Sequence, residues 1–293
     1  MFIACWSVKG GSGTTVVAAS LAVLAARGAP GGRRGRGSMA TGYGALLVDL
    51  AGDAPAAIGA PEPEGPGVAD WLRAGERVPP DGWGRLEVAA GPGLAIVPRG
   101  HGALVGQERA EVLAGVLGAD GRVVVVDCGV VPAEPARRWP APFVVDADDG
   151  PLPASTGSSS APSMSTWRSS PRSPSDGRHP SAPWSEELDA GGGSWPSTDV
   201  PVVLAAAATV SLLVIRPCYL ALRRASVAPI TPSGVVVVHE PGRALGADDV
   251  EDVLGVPVVA EVPYDPAVAR AVDSGLLAQR LPRGLERSLR DAA

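Results

Sequence analysis

The sequence predicts an α/β fold, a doubly wound and mostly parallel sheet of about seven strands with helices on both faces. Two observations carry this. Short apolar runs without alternation recur along the 293 residues, at Phe2 to Val8, Ala45 to Asp49, Leu94 to Val97, Val123 to Asp127, Val210 to Ile215, Val235 to Val238 and Val256 to Val259. Such runs fit strands buried on both faces, as in a sheet covered from each side. Helical patterns lie between several of them, at Thr14 to Arg27, Gln107 to Leu117, Tyr219 to Ala225, Ala247 to Leu254 and Pro266 to Val272. Strands that alternate with helices build parallel sheets.

A hydrophobic content of 45% allows a sizeable core, and with aromatics at only 4% that core must be packed with Val, Leu and Ala. The net charge of −6 argues against a generally cationic nucleic-acid binder. DNA contact would be confined to a local patch such as Arg216, Arg223 and Arg224. Cys5, Cys128 and Cys218 are odd in number, widely spaced and without metal-ligand spacing, which fits reduced thiols in the cytoplasm. The opening "MFIACWSV" is too short for a signal peptide, so secretion is not expected. The uncharged run Val200 to Ile215 raises the question of a membrane span. It is short, starts with Pro201 and is rich in alanine, so a short helix leading into a buried strand is the expectation, with no transmembrane span.

Two stretches interrupt the pattern. Gly28 to Gly44 reads as a loop insertion whose Arg33, Arg34 and Arg36 are solvated or touch DNA or acidic lipid. Residues 132–199 are dense in Ser, Pro and Gly without a periodic apolar face and are expected to be disordered, apart from a candidate strand at Phe143 to Asp146. Trp167, Trp184 and Trp195 would be anchors if this insertion is a partner-binding tether, and incidental if it is a tolerated surface loop. Residues 1–131 and 200–293 then form the two parts of one domain.

The chemistry concentrates in "SVKGGSGTTVV", Ser7 to Val17. A glycine-rich turn between a buried strand and a helix presents backbone N–H groups, and the helix N-terminus adds partial positive charge, so a phosphate is stabilised there. Lys9, Gly10, Gly11, Ser12, Gly13, Thr14 and Thr15 are the candidate nucleotide-binding residues. The Thr15 hydroxyl suits Mg²⁺. Lysine and arginine total 25 and Lys9 is the only lysine, so 24 are arginine, and the one compact ammonium sits in the tightest loop. Asp49 ends "ALLVD" and Asp127 ends "VVVVD", which puts a carboxylate at the ligand-binding edge of two strands. Asp127 is the candidate metal residue beside Thr15. A packed thiol is the expectation for Cys128, which has no nearby histidine; His101, His179 and His239 fall in loops or at a strand end.

With these residues the chain resembles the ParA/MinD family of P-loop ATPases. Lys9 matches the signature lysine of the deviant Walker A loop, Asp49 the first aspartate of Walker A′ and Asp127 the Walker B aspartate in "VVVVDCG". "VPVVAEVPYDPAVARAVDSG" is similar to the late strand, turn and helix of the family. The resemblance implies a P-loop NTPase fold, ATP and Mg²⁺ as ligands, and a nucleotide-dependent homodimer in which Lys9 reaches the partner's phosphates. It also implies a role in positioning a cargo at a partition, septum or pilus apparatus, peripheral to a membrane or the nucleoid.

The departures bear on catalysis. Thr14 stands where the family has the P-loop lysine, Ala51 where it has the second Walker A′ aspartate, and Val8 where it has an early glycine. Asp53 is the candidate substitute for the lost carboxylate, so Lys9, Asp49 and Asp53 form the candidate catalytic set. Losing a charged donor to phosphate removes on the order of 1.5–3 kcal/mol, which binding can survive more readily than hydrolysis. Two readings follow, a nucleotide-linked switch with weak or absent hydrolysis and a scaffold that binds no nucleotide. Glu240 and Arg243 border a base pocket or form a solvated turn. Near the end, Leu281, Leu285 and Leu289 have helical spacing, which fits packing onto the domain or marginal attachment to a bilayer.

Overall fold

The computed structural model describes residues 1–28, 44–61, 64–75, 80–132 and 199–292. The expectations for 132–199 and for Arg33, Arg34 and Arg36 therefore lie outside the described residues, apart from Pro132, which follows the sheet, and Asp199, which opens the next helix.

The strands are β1 (Phe2–Ser7), β2 (Ala45–Asp49), β3 (Val88–Gly91), β4 (Leu94–Val97), β5 (Val123–Val130), β6 (Val210–Ile215), β7 (Gly234–Val238) and β8 (Val258–Val262). The helices are α1 (Thr14–Gly28), α2 (Ala54–Ile58), α3 (Val68–Ala74), α4 (Gln107–Gly118), α5 (Val200–Ala207), α6 (Tyr219–Ala225), α7 (Ala247–Leu254), α8 (Pro266–Asp273) and α9 (Arg283–Leu289). The strands form one sheet in the order β3-β4-β2-β5-β1-β6-β7-β8. Every pairing is parallel except β3 with β4.

All seven expected strands are present. The sheet has an eighth, β3, which returns from the edge as an antiparallel partner of β4. The last strand begins at Val258, two residues later than expected; Pro257 has no N–H to give to a ladder, and Val258 N donates to the Glu251 side chain. The run Val200 to Ile215 divides into α5 and β6, and no helix among the described residues is long and apolar enough to cross a membrane.

Alternate residues of the central strand feed opposite faces. Phe2, Ala4, Trp6 and Val8 join an apolar layer with residues of α3, α4, α5, α6 and α7, while Ile3 and Cys5 join a second layer with α1, α2 and α9. This accounts for an apolar run that does not alternate, since both faces are covered. The indole of Trp6 in this layer is satisfied, since its Nε1 donates to Ser211 Oγ at 3.0 Å. Alanine-rich α1 buries Val17, Ala18, Ala19, Leu21, Ala22 and Val23, and its small side chains let it lie close to the strands. Leu281, Leu285 and Leu289 are buried in that same layer, so the C-terminal leucine stripe packs onto the domain.

Candidate functional site

The carboxyl ends of β1, β2, β4 and β5 converge beside the start of α1. Gly11 and Gly13 in the β1–α1 loop have φ values of +77° and +91°, a region in which a side chain is strained. A Cβ on Gly10 or Gly11 would meet no atom within 4 Å, so the loop borders open space. The loop is held from beneath. Ser12 Oγ donates to Lys9 O at 2.8 Å, and Ser7 Oγ shares its proton between Lys9 O at 3.2 Å and Gly129 O at 3.3 Å. Val131 N donates to Ser7 O at 2.7 Å, which ties the loop to the end of β5.

These residues line an open cavity of about 520 Å³, with Gly10 to Val16 on one side and Leu50, Ala51, Asp53, Arg99, Cys128 and Gly129 among the others. Of the residues expected at the site, Gly10, Gly11, Ser12, Gly13, Thr14, Thr15 and Asp53 line it. Lys9 does not. It lines a neighbouring hollow of about 180 Å³ with Arg216, Cys218, Glu240 and Arg243. There Glu240 and Arg243 form an ion pair at 2.8 Å, which draws the Glu240 carboxyl below its usual range.

Asp49 and Asp127 are register partners on β2 and β5, and both are fully buried. Their roles in the structure differ. Asp49 accepts from Gly52 N at 2.7 Å and Ala54 N at 3.2 Å, so its carboxylate closes the turn that carries Ala51 and Asp53 to the cavity. Burial raises its pKa against the pull of those amides. Asp127 Oδ1 accepts from Gly129 N at 3.0 Å, while Oδ2 is buried without a hydrogen-bond partner among the described residues. Burial pushes the Asp127 carboxyl up to about 7, the Thr15 side chain draws it down, and the Asp49 charge raises it further.

An orphaned carboxylate oxygen beside a threonine hydroxyl fits a hydrated divalent cation, whose charge would offset the buried anion. Among the described residues no group of three or more His, Cys, Asp or Glu side chains could hold a metal alone. Such a cation would need phosphate oxygens and water to complete its shell, and the cavity lies where those would come from. The Cys128 thiol lines the cavity too, but burial raises its pKa well above the ordinary thiol range, so it is a packed thiol and no nucleophile.

Arg99 was not among the residues expected at the site. It follows β4, and its guanidinium donates through Nη1 to Leu50 O and through Nη2 to Gly102 O at 3.5 Å. The signal available in the sequence was its place just beyond the apolar run "LAIV", at the edge where ligands bind.

The order of the sheet and a glycine loop leading from β1 into α1 define a P-loop NTPase fold. Solved structures narrow this. A ParA family ATPase from Chlorobium tepidum superposes with a TM-score of 0.61 at 15% identity, covering 99% of this chain and 95% of that one. The septum site-determining protein MinD from Pyrococcus horikoshii, complexed with Mg-ADP, gives 0.56 at 14% identity over 99% and 93%. A Cyanothece McdA variant in complex with ATP gives 0.55 at 13% identity over 99% and 94%. No protein-family model and no curated protein matches the chain. The protein has the fold of the ParA/MinD ATPases.

Proposed function

We propose that the protein is a nucleotide-linked switch of the ParA/MinD type, which binds Mg²⁺ and ATP in the P-loop cavity and assembles as a homodimer that positions a cellular cargo. The observation that supports this best is the unpartnered Asp127 Oδ2 beneath an open phosphate loop. A buried carboxylate oxygen with no donor is costly, and a bound cation with its water would satisfy it. On this reading the loop amides and the α1 terminus hold the phosphates, Thr15 and Asp127 hold the cation, and Asp49 fixes the turn that presents Asp53. The cation would neutralise charge on the phosphates and orient them.

Lys9 lines a separate hollow, which supports a role toward a second copy of the chain in preference to its own phosphates. Hydrolysis is weak on this account. Thr14 offers no charge to the transferring phosphoryl group, and Ala51 offers no carboxylate to orient water. A scaffold of the same fold that binds no nucleotide is favoured by those same two residues.

The test is sedimentation of the full chain with Mg·ATP, Mg·ADP and neither, for the wild type and Lys9→Ala. A dimer that forms with Mg·ATP in the wild type and is lost in the variant supports the switch. A single sedimentation species under every condition contradicts it.

A further inference from the structure

We propose that Arg99 is the in-cis cation of the phosphate cavity, contacting the terminal phosphate of a nucleotide in place of the lysine that position 14 lacks. This rests on the nucleotide-binding reading above. Nucleotide triphosphates carry several negative charges, and the buried carboxylates Asp49 and Asp127 lie next to the cavity with Asp53 on its wall. Some positive charge must face the ligand. Arg99 is the only basic residue among the described residues that line the cavity, since Lys9 faces the other hollow with Arg216 and Arg243.

The backbone explains how an arginine from β4 reaches a site built on β1. Val48 and Val97 are register partners, so two residues further on Arg99 stands beside Leu50, whose carbonyl it bonds. The side chain then runs over the Asp49–Ala54 turn. An ideal Cβ on Gly52 would lie 3.4 Å from Arg99 Cδ, so the arginine stem passes close by the turn at this glycine. Leu50 and Ala51 of that turn line the cavity together with the arginine.

Arg99 is also chemically available. Among the described residues its acceptors are two neutral carbonyl oxygens, and it takes part in none of the ion pairs there. A guanidinium has five N–H donors in a planar fork that matches phosphate oxygens two at a time. Ala51, which lines the same cavity, carries no carboxylate that could compete for the guanidinium.

The experiment is calorimetric titration of the full chain with Mg·ATP and Mg·ADP, for the wild type, Arg99→Gln and Arg99→Lys, with thermal melts of all three. The glutamine variant keeps an N–H donor for the carbonyl contacts. It should bind Mg·ATP about 10- to 100-fold more weakly while Mg·ADP changes by less than about 3-fold. The lysine variant, which keeps the charge, should stay within about 5-fold of the wild type for Mg·ATP. Unchanged Mg·ATP affinity in Arg99→Gln overturns the proposal while leaving the nucleotide reading intact. An equal loss for both nucleotides with a lowered melting temperature overturns it too, since that is the mark of a structural arginine. A wild-type chain that binds neither nucleotide overturns the underlying reading instead.

Discussion

Asp49 and Asp127 stand side by side on adjacent parallel strands, yet only one has both of its oxygens satisfied. The pair shows how the sheet edge is divided between structure and chemistry. Asp49 closes a turn, whereas Asp127 has one oxygen without a hydrogen-bond partner among the described residues.

That difference has a pH signature. An aspartate in an unfolded chain titrates near pH 3.9, and burial in the folded state pushes Asp127 up to about 7. The folded state therefore binds the extra proton between these values, and the metal-free protein loses stability as pH rises from about 4 to 7, by up to about 4 kcal/mol from this group. Asp127→Asn removes that dependence and is the more stable of the two above pH 7. Thermal melts of both proteins in EDTA between pH 4.5 and 8 check this; identical pH profiles would refute it.

The loop that carries Arg99 depends on a close backbone approach. Gly100 has φ +73°, and a Cβ there would lie 2.3 Å from Asp70 Oδ2 and 2.7 Å from Gly67 N. Asp70 Oδ2 also accepts from His101 N at 3.3 Å, and Val68 N and Ala69 N donate to Pro98 O at 2.9 Å and Arg99 O at 2.8 Å, which holds α3 against this loop. Gly100→Ala should destabilise the protein by more than about 2 kcal/mol, from strain and lost anchoring together. Urea unfolding measures it, and a midpoint equal to the wild type's would count against the packing described.

The C-terminal helix is part of the core. Leu289 is 0% exposed and packs with α1 and β8 residues in one apolar layer. Leu289→Ala should cost about 2–5 kcal/mol, as buried leucine truncations do. A change below about 0.5 kcal/mol in urea unfolding, the size usual for surface positions, would show that the helix is not docked in solution.

Much of this was legible because of burial on two faces. The seven apolar runs are strands that helices cover from both sides, whereas the order in which they pair does not follow from such runs. β3 was not legible: Val88 and Ala89 are exposed and the strand is an edge without an apolar run. α3 is a short helix opening just after the Pro/Gly-rich stretch "PEPEGPG", too brief for a helical period to show. At the site, the glycines and the two strand-end aspartates carried their own spacing. The direction of Lys9 and the reach of Arg99 depend on how β4 and the 216–243 segment flank the loop, which spacing along the chain does not encode.

The central claim is that the cavity binds a nucleotide with a divalent cation at Asp127. Titration of the full chain with ATP, with Mg²⁺ and with EDTA, tests it most directly. The account requires saturable binding of one nucleotide per chain that weakens in EDTA and in Asp127→Asn. Absence of saturable binding at millimolar ATP with Mg²⁺ would contradict it and leave the scaffold reading standing.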